Sequence, residues 1–238
     1  MRKTIIKNIL QITTSQDNEF IFKEYLYYAP FDHVRMKDRL DFFVSISGSD
    51  GPIPDLHWQR CENIIRTSHS KVNRLRSTKR VDLKVLLDFA DALDQCLNFE
   101  YPHGDINRKN IIYDGDKLWL IDIEPVIRFD NNNRIFLRST PPYIHPIDIE
   151  NERLTILTDL LGFGCYAVFL MGLVDKPHLA LEAMKKINLN AISKEKNPFS
   201  SLISGILTTV SADLLLTCKD SLPFFQSSIR EFNNVQRS

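Results

Sequence analysis

The stretch that decides the fold is YPHGDINRKNIIYDGDKLWLIDIEP, residues 101–125. It contains two short apolar runs, IIY and LWLI, separated by an Asp-Gly pair, which is the pattern of a β-hairpin with a tight turn. Oxygen-bearing side chains stand beside these runs: Asp105 and Asn110 precede the first run, and Asp122 follows the second. Because a hairpin returns the chain on itself, we expect all three side chains to face one cleft.

These three side chains suit phosphoryl transfer. That reaction requires a carboxylate near the attacking hydroxyl and oxygen ligands that hold Mg²⁺ between the phosphates. Asp105 is the candidate for the first task. Asn110 and Asp122 supply hard oxygen ligands, which Mg²⁺ prefers, for the second.

Two motifs in this stretch resemble those of the protein kinase-like superfamily. HGDINRKN is similar to the catalytic loop, in which His-Arg-Asp is followed after four further residues by Asn. LIDIE is similar to the strand that carries the metal-binding Asp-Phe-Gly. The resemblance implies that Asp105 is the catalytic base or orients the acceptor hydroxyl, and that Lys109 contacts the transferred phosphate. It also implies that Asn110 and Asp122 bind ATP through Mg²⁺.

Two later segments extend the resemblance. STPPYIHP, residues 139–146, is similar to the substrate-positioning loop of protein kinases, in which Thr140 would contact the catalytic loop. TDLLGFG, residues 158–164, resembles the start of the buried central helix. This implies that Asp159 accepts hydrogen bonds from the catalytic-loop backbone and that Gly164 permits close packing. Both segments favour a protein kinase over the small-molecule branches of the superfamily.

The resemblance implies an α+β fold with two lobes. Residues 1–55 are predicted to form a reduced N-terminal lobe of strands and one helix, and residues 56–238 a mainly helical C-terminal lobe. Within the first lobe, we expect two strands around the turn SQDN and a helix over residues 31–46. Residues 47–55 have loop composition and are a candidate hinge between the lobes. Residues 56–80 are predicted to begin the second lobe with a helix.

The N-terminal lobe departs from the family pattern because the first glycine is Gly48, too late for a glycine-rich phosphate loop. Two alignments remain open. In one, FIFKEY is the third strand, and Lys23 is the nucleotide-binding lysine. An acid at Asp38, Asp41 or Glu62 would then hold it. In the other, the first segments are the fourth and fifth strands, KEYL contacts adenine, and the first three strands are missing.

Composition adds little about partners. Thirty basic residues balance thirty acidic residues, so net charge favours no class of partner. A basic cluster is a candidate docking surface for a protein substrate, and the absence of interleaved aromatic residues argues against nucleic acid. The cluster occupies residues 66–80 and comprises Arg66, Lys71, Arg74, Arg76, Lys79 and Arg80.

The sequence predicts a cytoplasmic protein. The four cysteines have no CxxC spacing, which is typical of reduced thiols. Lys7 and Asn8 interrupt the first apolar run before it reaches the length of a signal peptide. Residues 154–174 are long enough to cross a bilayer, but Asp159 lies within them and favours a buried core helix, so no membrane span is expected.

Three hypotheses follow. The leading one is an ATP- and Mg²⁺-dependent kinase that acts on a protein hydroxyl. The His-Gly-Asp form, which also occurs in aminoglycoside and choline kinases, motivates a small-molecule kinase as the alternative. The missing glycine-rich loop motivates a third, in which the chain is a pseudokinase that acts as a binding module.

Overall fold

The computed structural model describes residues 2–6, 10–27, 33–73, 81–97, 101–123, 127–128, 135–136, 143–151, 154–174 and 177–210. Its architecture is mixed α+β, as the sequence predicted. An antiparallel sheet occupies the N-terminal part, and helices dominate the C-terminal part.

The N-terminal part is a five-stranded antiparallel sheet in the order β1-β2-β3-β5-β4, with one helix between β3 and β4. Its elements are β1 (Arg2–Ile6), β2 (Leu10–Gln16), β3 (Phe20–Tyr27), α1 (His33–Ser45), β4 (Leu56–Cys61) and β5 (Ile64–Ser70). The predicted strand pair around SQDN is confirmed. Its turn is closed by the Asp17 carboxylate, which accepts hydrogen bonds from the backbone N–H groups of Glu19 and Phe20.

The helix predicted over residues 56–80 is wrong where the structure describes it, because β4 and β5 form a hairpin there. Alternate residues of β5 (Ile65, Thr67 and His69) are buried, which is the period of a strand with one face on the core. The sheet therefore continues past residue 55, the predicted end of the N-terminal lobe. Residues 47–55 are a loop as predicted, and they join α1 to β4, which is a strand of the same sheet as β3.

The strand order bears on the two alignments of the N-terminal segment. Two strands precede β3, while α1 and two further strands follow it. This arrangement agrees with the alignment in which FIFKEY is the third strand, and Lys23 lies on that strand. Lys23 is two residues before the buried Tyr25, so both side chains project from the same face of the sheet.

Helix α1 packs one face against the rest of the molecule. Met36, Arg39, Leu40 and Phe43 are buried, at the spacing of one helical face. The Phe43 ring meets the His103 ring edge-on, with 6.5 Å between the centroids. This face of α1 therefore lies against the loop that carries the predicted catalytic residues.

The C-terminal part is mainly helical. Its helices are α2 (Leu83–Cys96), α3 (Pro146–Glu150), α4 (Ile156–Leu170), α5 (Pro177–Met184), α6 (Leu189–Ile192) and α7 (Pro198–Gly205), the last followed by a π-helical turn, Ile206–Val210. Helix α4 is buried on nearly all sides. Its Phe163 ring lies between Phe89 of α2 and Phe199 of α7, at centroid distances of 6.0 and 5.5 Å. No helix in the described ranges is long and apolar enough to cross a membrane.

The hairpin predicted from the opening stretch is confirmed. Its strands are β6 (Ile111–Tyr113) and β7 (Leu118–Leu120), and a second short pair follows, β8 (Ile127–Arg128) and β9 (Ile135–Phe136). The Asp114 carboxylate accepts from the backbone N–H groups of Asp116 and Lys117, so Asp114 is a turn residue as expected. The Leu120 N–H donates to the Pro52 carbonyl across 2.7 Å, which ties the hairpin to the loop between α1 and β4.

At Gly162, helix α4 packs closely against the backbone of the loop that carries Asp105. A Cβ at this position would lie 2.0 Å from the backbone oxygen of Ile106. We expect Gly162→Ala to lower the free energy of unfolding by about 1–3 kcal/mol, because neither the α4 backbone nor the loop backbone at Ile106 can move away without strain. Chemical denaturation measures the change.

The matched control for this variant is Gly205→Ala, at the end of α7. A Cβ there would meet only an ordinary contact, Ile192 Cδ1 at 3.5 Å. We expect unchanged or slightly raised stability, since alanine favours a helix by up to about 1 kcal/mol over glycine. Equal losses in both variants would contradict the steric explanation.

Candidate functional site

The backbone of the loop that carries Asp105 is held by two buried charged side chains. From α4, the Asp159 carboxylate accepts from the backbone N–H groups of His103, at 2.6 Å, and Gly104, at 2.7 Å. From α1, the Arg39 guanidinium donates to the carbonyl oxygens of Pro102 and His103, the latter at 3.0 Å. The contact that the sequence predicted for Asp159 is confirmed.

These four hydrogen bonds hold two consecutive peptide groups, each at its carbonyl oxygen and at its N–H. The Pro102 carbonyl and the His103 N–H belong to one peptide group, and the His103 carbonyl and the Gly104 N–H belong to the next. Each group thus lies between the guanidinium and the carboxylate. Arg39 is 4% exposed and Asp159 is fully buried. Burial raises the pKa of Asp159 to about 7, while the two N–H groups and Arg39 favour the charged form.

Gly104 is required by the conformation of the loop. Its φ is +84°, and a Cβ would lie 2.6 Å from Leu154 Cδ1. Side chains other than glycine rarely adopt this region of φ. The backbone conformation therefore explains the glycine in His-Gly-Asp. This glycine does not discriminate between the protein-kinase and small-molecule-kinase hypotheses.

The His103 side chain lies beneath the loop and is buried. Its Nε2 lies 3.1 Å from the Ile121 carbonyl, and its Nδ1 accepts from the Asp105 N–H at 3.2 Å. Since a carbonyl only accepts and a backbone N–H only donates, the ring is neutral with its proton on Nε2. Burial, with the nearby charge of Arg39, lowers its pKa to about 3.

The side chain of Asp105 is oriented by two asparagines. Asn110 Nδ2 donates to one carboxylate oxygen and to the Asp105 carbonyl, both at 2.9 Å. Asn107 Nδ2 donates to the other carboxylate oxygen, also at 2.9 Å. Asn107 also accepts from the Lys109 backbone N–H at 2.8 Å, which fixes the loop between Asp105 and Asn110. The Lys109 side chain is exposed on this loop.

Asp122 is brought next to this loop by the hairpin. The Ile121 N–H donates to the Asn110 carbonyl at 2.8 Å, which places Asp122 beside Asn110. Asp122 has a φ of +71°, a strained conformation for a residue other than glycine. Such strain persists only where the surroundings enforce it.

Lys23 reaches Asp122 from the sheet. Its ammonium group forms an ion pair with the Asp122 carboxylate, and the two side chains are 14% and 29% exposed. The sequence expected a different partner for this lysine. Of the three candidates, Asp41 binds Lys37 and accepts from Trp58 Nε1, Glu62 lies in the turn between β4 and β5, and Asp38 is exposed.

The structure thus brings Lys23, Asp105, Asn110 and Asp122 to one place between the sheet and the hairpin. Asn110 and Asp122 offer oxygen atoms of the kind that suits Mg²⁺. In the parts of the chain that the structure covers, no three His, Cys, Asp or Glu side chains are grouped as a metal site. Two protein ligands are enough for Mg²⁺ when phosphates and water complete its coordination.

Some predicted positions contribute differently or lie outside the described residues. In the basic cluster, Arg66 pairs with Glu24 at 2.8 Å, and Lys71 donates to the Asp17 carbonyl. Both cations are therefore engaged within the sheet layer. Residues 74–80, which hold the rest of the cluster, lie outside the described residues, as does Thr140.

Sequence reasoning missed two residues of the site, Arg39 and Asn107. The signal for Arg39 is a single cation on the apolar face of α1, in register with Met36 and Phe43. Asn107 was not among the predicted site residues. Nothing in its neighbourhood along the chain indicates that it would bind the Asp105 carboxylate.

Comparison of the chain with models of known protein families gave no match, and comparison with curated proteins gave none either. The functional assignment therefore depends on the geometry described above.

The pKa of His103 makes the stability pH-dependent. Its value of about 3 in the fold lies below the ordinary 6.5, so the unfolded chain takes up the proton first as pH falls. The contribution of neutral His103 to the free energy of unfolding is complete above pH 6.5 and is lost progressively as the pH falls toward 3. Relative to His103→Gln, we expect the wild type to lose about 2 kcal/mol between pH 7 and pH 5, measured by denaturation at each pH.

The glutamine variant is the appropriate reference because its amide can donate to the Ile121 carbonyl but does not titrate. Asp159 titrates in both proteins, so its contribution cancels in the comparison. A stability difference that stays constant with pH would contradict a buried neutral His103.

Proposed function

We propose that the protein is an ATP- and Mg²⁺-dependent phosphotransferase with a two-lobed, protein kinase-like fold, and that it transfers the γ-phosphoryl group to a protein hydroxyl. The observation that carries the proposal is the meeting of Lys23, from the third strand, with Asp122, from the end of the hairpin. These residues are 99 positions apart by their numbers, and no local pattern requires their contact. The strand order β1-β2-β3-β5-β4, with α1 after β3, supports the same reading.

Each residue has a separate task in this proposal. Lys23 binds the nucleotide phosphates, and Asn110 and Asp122 hold Mg²⁺. The metal supplies positive charge that offsets the negative charge of the phosphates. Asp105 orients the acceptor hydroxyl, and its hydrogen bonds from Asn107 and Asn110 fix the direction of its carboxylate. Lys109 is exposed on the same loop, and the proposal assigns it contact with the transferred phosphate.

A second candidate is a binding module without catalysis. The observation that favours it is the absence of any glycine before Gly48. In a glycine-rich loop, backbone N–H groups approach the phosphates closely, and this chain lacks such a sequence. The Lys23–Asp122 ion pair would then stabilise the fold and have no role in chemistry.

Transfer of radiolabel from ATP tests catalysis directly. We expect Asp105→Ala and Asp122→Ala to lower transfer about a hundredfold or more, because each removes a group that acts on the reacting atoms. The matched control is Asp116→Ala, an exposed aspartate on the same hairpin, which should retain activity. Equal incorporation by all four proteins would end the proposal. Labelling of a small alcohol, with no protein labelled, would assign the small-molecule alternative.

Stabilisation by nucleotide separates the two candidate functions. A ligand at 100 times its dissociation constant adds about 2.7 kcal/mol to the free energy of unfolding. We expect Mg²⁺-ATP to stabilise the wild type and Lys37→Met, whose lysine pairs with Asp41 on the exposed side of α1. Lys23→Met should show a smaller gain. The measurement is chemical denaturation with and without Mg²⁺-ATP, and a wild type that gains nothing would leave the binding module as the better assignment.

A further inference from the structure

Among the α1 side chains that the structure describes, Arg39 is the charged one on the apolar face, and the proposed function leaves it without a task. It is 4% exposed, and its guanidinium bonds two carbonyls that lie 63 and 64 positions further along the chain. The Phe43 ring lies 4.7 Å from the guanidinium carbon, which restricts the position of the group. Arg39 is therefore held on both sides, by an aromatic ring and by the loop.

A purely structural explanation accounts poorly for an arginine here. Burial of a guanidinium costs several kcal/mol, and an apolar side chain of similar size often serves a core position as well or better. What an apolar side chain does not supply is a planar, charged donor that can bond two carbonyl oxygens at once. The guanidinium uses this capacity on the two peptide groups that Asp159 holds from the other end.

The path from Arg39 to Asp105 is short. The second of the two peptide groups that Arg39 and Asp159 bond ends at Gly104, and the next residue is Asp105. The Asp105 N–H is held by His103, whose own carbonyl accepts from Arg39. Loss of the guanidinium frees the carbonyls of Pro102 and His103, three and two residues before Asp105. The asparagine contacts to the Asp105 carboxylate remain.

We propose that Arg39 is a positioning residue: through two peptide groups it sets the backbone that presents Asp105, and it thereby makes helix α1 part of the site. This inference rests on the proposed phosphotransferase function. It assigns α1 a different task from the one the sequence suggested. An acid on this helix was expected to hold Lys23, whereas the helix holds the catalytic loop by a cation.

The test compares Arg39→Met, Arg39→Lys and Leu40→Ala. Methionine fills the buried space without hydrogen bonds, and lysine keeps the charge but loses the planar fork. Leu40 is the matched control, because it is fully buried on the same helix but is apolar. We expect Arg39→Met to lower kcat about ten- to a hundredfold with little change in the KM for ATP. Asp105 would be misplaced in this variant, whereas the residues that contact the nucleotide would stay in position. Arg39→Lys should be intermediate. Leu40→Ala should lose stability but keep kcat per folded molecule.

Backbone amide exchange gives a readout that does not require activity. We expect Arg39→Met to speed exchange at His103, Gly104 and Asp105 more than Leu40→Ala does, at matched global stability. Equal kcat per folded molecule and equal exchange in these two variants would overturn the proposal. If Arg39→Met does not fold, Arg39→Lys takes its place in both measurements.

The two readouts distinguish failure of this inference from failure of the proposed function. A wild type that transfers no phosphate to any acceptor refutes the phosphotransferase, and with it the catalytic part of this inference. Faster exchange confined to the loop in the Arg39 variants would still support its hold on the backbone. An active wild type whose Arg39 variants match Leu40→Ala refutes the positioning role alone.

Discussion

The structure depends on one electrostatic arrangement, in which two peptide groups lie between the guanidinium of Arg39 and the carboxylate of Asp159. A buried charge is tolerated only where hydrogen bonds replace its hydration. Here the same two peptide groups serve both charges, with their carbonyls toward the cation and their N–H groups toward the anion. The peptide dipoles therefore link two buried ions that belong to different layers of the fold.

This arrangement fixes the loop from which the rest of the candidate site is built. His103 can remain neutral beneath the loop because burial and the charge of Arg39 both oppose its protonation. Asp105 is the residue after these two peptide groups, and the side-chain amides of Asn107 and Asn110 orient its carboxylate. The hairpin is then joined to the loop through the Asn110 carbonyl, which brings Asp122 within reach of Lys23.

The sheet and the helical part meet through contacts of different kinds. Lys23 and Asp122 form a partly exposed ion pair, which added ligands or salt can weaken. Arg39 and the loop form buried, charge-assisted hydrogen bonds, which are stronger and less screened. The hairpin also bonds the loop between α1 and β4, through Leu120 and Pro52. In the proposed function, the exchangeable contact is the one that nucleotide would replace, and the buried contacts hold the catalytic loop in place.

The sequence by itself determined the features that depend on neighbouring residues. The Asp-Gly turn, the hairpin, the helix α1 and the strand pair around SQDN follow from turn chemistry and periodicity. The hydrogen bonds that Asp159 accepts were implied by the resemblance of TDLLGFG to a buried central helix. The same local reasoning failed over residues 56–70, where two of the three buried positions of β5, Thr67 and His69, are polar and so do not give an apolar alternation. Only the tertiary structure decided that Lys23 meets Asp122, that Arg39 grips the loop and that Asn107 binds Asp105. The first two contacts join distant segments, and the third depends on the folded shape of one loop, so the spacing of residues along the chain encodes none of them.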